Sequence, residues 1–155
     1  FLVQGDAWRS LAVGVRYCQG YLAMGKATVR VRVAGNQAYL TIKGPTLGAT
    51  RSEYEYAIPL TDALEMLETL CQRPLIAKQR YRIEWEGLVW EVDEFEGDNQ
   101  GLVIAEVELT RADQAIALPP WIGQEVTADP HYYNSNLVQH PFSQWGRSAT
   151  ATDPL

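Results

Sequence analysis

The sequence holds 155 residues, 46% of them hydrophobic, with a formal net charge of −6; that is enough chain for one domain with a sizeable core and too little for a second. The balance excludes a disordered polymer and the broad basic footprint of a nucleic-acid binder, and no apolar run approaches the roughly 20 residues that span a bilayer. Cys18 and Cys71 lack CxxC spacing and His131 and His140 stand far from both, so no thiolate zinc site is expected. Without a signal-like segment at Phe1, a cytoplasmic protein is expected, with neither a membrane nor a nucleic-acid polymer as partner.

From Gly20 onward apolar and polar residues alternate, the period with which a strand sends neighbouring side chains to opposite faces. Val29, Val31 and Val33 face one way and Arg30 and Arg32 the other, with Gly35-Asn36 marking a hairpin turn. On the return strand Leu40 and Ile42 oppose Thr41 and Lys43, until Gly44-Pro45 interrupts the ladder. In RSEYEYAIP, Glu53 and Glu55 lie opposite Tyr54 and Tyr56. Residues 62–72 abandon this rhythm: Leu64, Leu67 and Cys71 recur at three- and four-residue spacing, which predicts a short amphipathic helix capped by Thr61 or Asp62.

Strand periodicity resumes on both sides of Gly87. It gives Lys78, Arg80, Arg82, Glu84 and Glu86 one parity, and sets Glu91 and Asp93 opposite Trp90 and Val92. LVIAEVELT adds a last pair, Glu106 and Glu108. Beyond Thr110 a short helix is expected in ADQAIAL and another in YYNSNLVQH, with Phe142 and Trp145 packing the tail against the body. The domain is expected over 1–147, with 148–155 a flexible tail.

Hairpin-length strands in series favour a mainly β, antiparallel barrel with accessory helices over a parallel βαβ fold. Closing the sheet would turn one parity into an interior lined by both charge signs. Dry burial would cost several kcal/mol per ion, so a wet tunnel is expected. A metal-bound polyphosphate would use both signs. Arg30, Arg32, Lys43 and Arg80 can grip phosphate oxygens, while Glu53, Glu55, Glu91, Asp93, Glu106 and Glu108 can hold a hard divalent cation. Lys78 has three candidate roles: binding phosphate as a cation, orienting the attacking water as the catalytic residue, or serving as a surface or structural charge.

QGYL at 19–22, VRVR at 29–32, LTIKG at 40–44, EYEYAIP at 53–59, KQRY at 78–81, WEVDEFEG at 90–97, AEVEL at 105–109 and EVTADPHYYNSNL at 125–137 follow one another in this order. In that order the sequence resembles the CYTH family, the triphosphate tunnel metalloenzymes, and its bacterial branch in particular. The resemblance implies an eight-stranded closed antiparallel tunnel, dependence on Mg2+ or Mn2+, and hydrolysis of inorganic tripolyphosphate to pyrophosphate and phosphate by a monomer or homodimer. It also admits nucleoside or thiamine triphosphate hydrolysis, adenylate cyclisation, or polyphosphate binding without turnover. The family's ExExK strand would stand immediately ahead of the FLV at 1–3, so the tunnel is expected to be incomplete at that edge.

Overall fold

The computed structural model describes residues 1–48 and 50–149. Seven strands form one sheet: β1 (Val15–Met24), β2 (Thr28–Ala34), β3 (Gln37–Leu47), β4 (Thr50–Ile58), β5 (Ile76–Trp85), β6 (Leu88–Phe95) and β7 (Val103–Val107). Their order is β4-β3-β2-β1-β5-β6-β7, every neighbouring pair antiparallel. The β2–β3 turn uses Gly35 at φ 61°, and the β5–β6 turn places both Glu86 and Gly87 at positive φ, the backbone that a tight hairpin connection demands. Register shifts at Tyr21/Ala23 and Lys43/Thr46 bend the strands.

The apolar parity is covered as the alternation requires. Helix α1 (Leu60–Thr69) lays Ala63 and Leu67 over Val31, Val33 and Ala38 of β2 and β3. On the other half Trp8, Trp121 and Ile122 cover Ile83, Trp90, Val92 and Ala105; burying each such large side chain contributes about 1.5–3 kcal/mol. A third cluster joins Leu137 and Val138 of α2 (Asn134–Gln139) to Tyr21, Ile76, Phe95 and Ile104, with Phe142 and Trp145 packed on it.

The helix expected at 62–72 starts and ends earlier. Pro59 is its N-cap and makes no side-chain cap bond, and Leu64, assigned to the apolar face, is 52% exposed. Leu60, Ala63 and Leu67 supply the packed face instead. No helix forms in ADQAIAL, where Ile116 packs on the Trp90 cluster from an irregular segment. Of the expected tail at 148–155, residues 150–155 lie outside the described residues.

The closed eight-stranded tunnel is not what this chain builds. Among the described residues the sheet has seven strands and two free edges, β4 and β7, making an open, curled half-barrel. Residues after β7 leave the ladder instead of extending it, because Pro119 and Pro120 offer no N–H to a neighbouring strand and Trp121 and Ile122 gain more by packing on the sheet's outer face. Phe1–Val3 pairs its backbone with β7 only at an isolated bridge, Leu2 to Ile104, and through the paired bonds between Phe1 and Ala105. Among the described residues neither segment bonds to β4.

Candidate functional site

The curl brings the two ends of the sheet around one cavity of about 570 Å³. Glu53 and Glu55 of β4 line it from one side, Glu106 and Glu108 at the far end of the sheet from the other, and Arg30, Arg32, Lys43, Arg80 and Glu91 lie between. Cross-strand register explains the alignment. Arg30 sits opposite Tyr21 and Thr41, Arg32 opposite Gln19 and Tyr39, Lys43 opposite Glu53, and Glu91 opposite Arg82 and Glu106. Charged residues of one parity on β2, β3, β4, β5, β6 and β7 therefore line the same trough.

Nine of the eleven residues singled out in the sequence line this trough; Lys78 and Asp93 do not. Both lie beneath it, 0% and 2% exposed. Asp93 accepts from Lys78 Nζ at 2.7 Å and from Arg80 Nε and Nη2 at 2.7 Å each, a two-pronged guanidinium contact of the strong kind. Glu91 takes the remaining side of Arg80 and stands 3.6 Å from Arg82.

The buried group holds two cations and one carboxylate. Burial pushes the Asp93 carboxyl up, but the hydrogen bonds from Arg80 and the charge of Lys78 outweigh it and hold the pKa below the usual carboxylate range. Lys78 moves down as well, to about 8, although an ion pair alone would raise it. Burial is the larger cause, and the positive charges of Arg80 and Arg32 add to it. Arginine does not give up its proton, so lysine is the member that yields.

Arg30 and Arg32 are differently placed. Both are half-buried, and neither makes an ion pair among the described residues. Arg32 donates through Nε to Gln19 Oε1 at 3.0 Å, and Gln19 is itself fully buried. Burial, then the charges of Arg30 and Arg80, lower the Arg32 pKa to about 10. Tyr17 separates Arg32 from Arg80, its ring centroid 5.4 Å from one guanidinium carbon and 4.9 Å from the other. Lys43 reaches Glu53 only at 4.0 Å, and burial lowers its pKa.

Glu55, Glu106 and Glu108 likewise have no cationic partner among the described residues, where no three His, Cys, Asp or Glu side chains gather closely enough to cage an ion. That donor set fits a magnesium-like ion, which needs only one or two carboxylates and completes its shell with water and phosphate oxygens. Several lining residues escaped the sequence reading: Tyr132, Tyr133 and Asn134 on the trough wall, and Tyr21, Thr28, Thr41 and Arg51 around a side compartment. Arg51 shares the parity of Glu53 and Glu55 and was findable on that ground. His131 turns instead to Asp129, 2.6 Å away, and to Trp145.

A half-barrel whose concave face carries unpaired arginines opposite unpaired carboxylates defines a protein built to hold an anion together with a cation. The chain belongs to the CYTH domain family, which matches residues 5–140. It is 53% identical over 146 residues to an inorganic triphosphatase of Acetivibrio thermocellus, covering 94% of each chain. An inorganic triphosphatase of Nitrosomonas europaea is 36% identical over 125 residues, covering 77% of this chain and 82% of the relative. The crystal structure of an inorganic triphosphatase superposes with a TM-score of 0.66 at 33% identity, over 89% of this chain and 93% of the other.

Proposed function

We propose that this chain hydrolyses inorganic tripolyphosphate to pyrophosphate and phosphate with the help of a divalent cation, magnesium or manganese. The observation that carries the reading is the pair Arg30 and Arg32, half-buried without a carboxylate partner among the described residues, across the trough from unpaired Glu55, Glu106 and Glu108. Cations held this way repel one another until an anion arrives. The activity of the relatives at 53% and 36% identity supports the same reading.

Glu53 and Glu55 on β4 with Glu106 on β7 and Glu108 just past its end are the groups that would hold the metal, and Glu91 borders them. When bound, such an ion supplies Lewis-acid polarisation of a phosphoryl oxygen and a more acidic water. The chain's own contribution is positioning and charge. Arg30, Arg32 and Lys43 bind nonbridging phosphate oxygens and offset the charge that grows on the leaving phosphate, at no reorganisation cost because the fold already holds them there. Arg80 is fixed in plane by Asp93 and Glu91, so it presents a constant face to the substrate. Lys78 acts through Asp93, its ammonium closed off from the trough.

A substrate panel tests this. Tripolyphosphate, ATP and thiamine triphosphate are compared with magnesium, manganese and chelator, measuring both orthophosphate and cyclic nucleotide. Metal-dependent phosphate release highest with tripolyphosphate is expected. Equal or faster turnover of a nucleoside or thiamine triphosphate, or saturable tripolyphosphate binding with no release under any metal, would overturn it.

A further inference from the structure

Beside the trough, and joined to it at Arg30, Lys43 and Glu106, lies a smaller compartment of about 260 Å³. The two differ in charge. In the trough five carboxylate side chains face four cationic ones, whereas in the compartment Arg30, Lys43 and Arg51 face Glu106 alone. A divalent cation belongs where the carboxylates are. The compartment, with its cation excess, suits an anion that arrives without one.

Two polar atoms sharpen that. Arg30 Nε and Asn134 Oδ1 are buried without a hydrogen-bond partner, and both residues line the compartment. One is a donor and the other an acceptor, so an oxyanion that bears both a bare oxygen and a hydroxyl matches the polarity of these two residues. Monohydrogen phosphate carries both. The hydroxyls of Thr28 and Thr41 supply further donors around it. Arg51 is pinned by its Nε bond to the Gly44 carbonyl at 2.8 Å, which leaves its two terminal nitrogens for a two-pronged oxyanion contact.

We propose that this compartment is an orthophosphate subsite, filled without a metal ion, with Arg51 as the cation that belongs to it alone. Because Arg30 and Lys43 are shared with the trough, phosphate seated here competes with tripolyphosphate. Reaction product therefore restrains further turnover, a consequence that rests on the triphosphatase reading. The binding itself does not rest on it.

The test is calorimetric titration of inorganic phosphate into the full chain treated with chelator, on the wild type, Arg51→Gln and Arg51→Lys, each checked for folding by circular dichroism. One phosphate per chain is expected in the wild type, with affinity about tenfold weaker in Arg51→Gln, the loss expected of a charge-assisted contact, and partly restored in Arg51→Lys. Adding magnesium should change phosphate affinity by less than about twofold, since one carboxylate lines the compartment. Phosphate that binds only with metal, or binds folded Arg51→Gln as well as wild type, overturns the subsite. Absence of tripolyphosphate turnover in the wild type would instead sink the triphosphatase reading and leave the titration result standing.

Discussion

Two strands of the same sheet carry arginines on the same concave face and put them to opposite uses. On β5, Arg80 is locked by Asp93 and Glu91, and Lys78 shares Asp93. On β2, Arg30 and Arg32 donate to the neutral side chains of Thr41 and Gln19 and, among the described residues, meet no carboxylate. The difference lies in the neighbouring strands. β6 presents carboxylates at the cross-strand positions, whereas β1 and β3 present Gln19, Tyr21, Tyr39 and Thr41. A cation beside a carboxylate becomes part of the scaffold; one beside neutral donors and acceptors stays available to a ligand.

Replacing Asp93 breaks the comparison most forcibly. Asp93→Ala strips the shared carboxylate from two buried cations and is expected to cost about 3–5 kcal/mol of stability, read as a lower urea midpoint. Arg32→Ala should cost the fold less, because relief of its repulsion with Arg30 and Arg80 offsets the lost bond to buried Gln19, while lowering kcat/KM for tripolyphosphate by about 10²–10³-fold, the range seen when one charge-stabilising donor is removed. Equal stability losses for the two variants would erase the distinction drawn between the strands. Glu106→Gln sharpens it from the carboxylate side: the magnesium concentration giving half-maximal rate should rise at least about tenfold, with phosphate binding retained under chelator.

A further effect is one of pH. Lys78 has a pKa of about 8 in the fold and about 10.4 unfolded, so between those values the unfolded chain binds more protons. Stability is therefore held down below pH 8 and rises through that window, at no more than about 1.4 kcal/mol per pH unit. Urea unfolding at pH 7.5, 9 and 10 measures it, and Lys78→Met should flatten the rise. A flat wild-type profile would mean the Lys78 ammonium keeps its proton against burial.

Much of this face was legible in the sequence because strand parity is a one-dimensional signal. VRVR, the Glu53/Glu55 pair and AEVEL needed only alternation to be placed together, and the trough gathers them. Depth is not encoded that way. Asp93 has the parity of Glu91, yet it lies two residues further along β6, where Lys78 and Arg80 close over it and Phe95 packs beside them. Neutral residues gave no charge pattern to follow, so Gln19 and Tyr21 went unread although they share the arginines' face. The extent of the opening was missed for another reason: pairing between strands far apart in sequence depends on where the chain goes after β7, and Pro119-Pro120 turns it onto the outer face.

The crowding of positive charge at Arg30 and Arg32 gives the molecule its own indicator. Any oxyanion that settles between them favours the folded state by mass action, so melting temperature should climb with concentration for true ligands and stay level for bystanders. Ranking salts and phosphates by that climb reads out what the trough prefers before a single bond is cleaved.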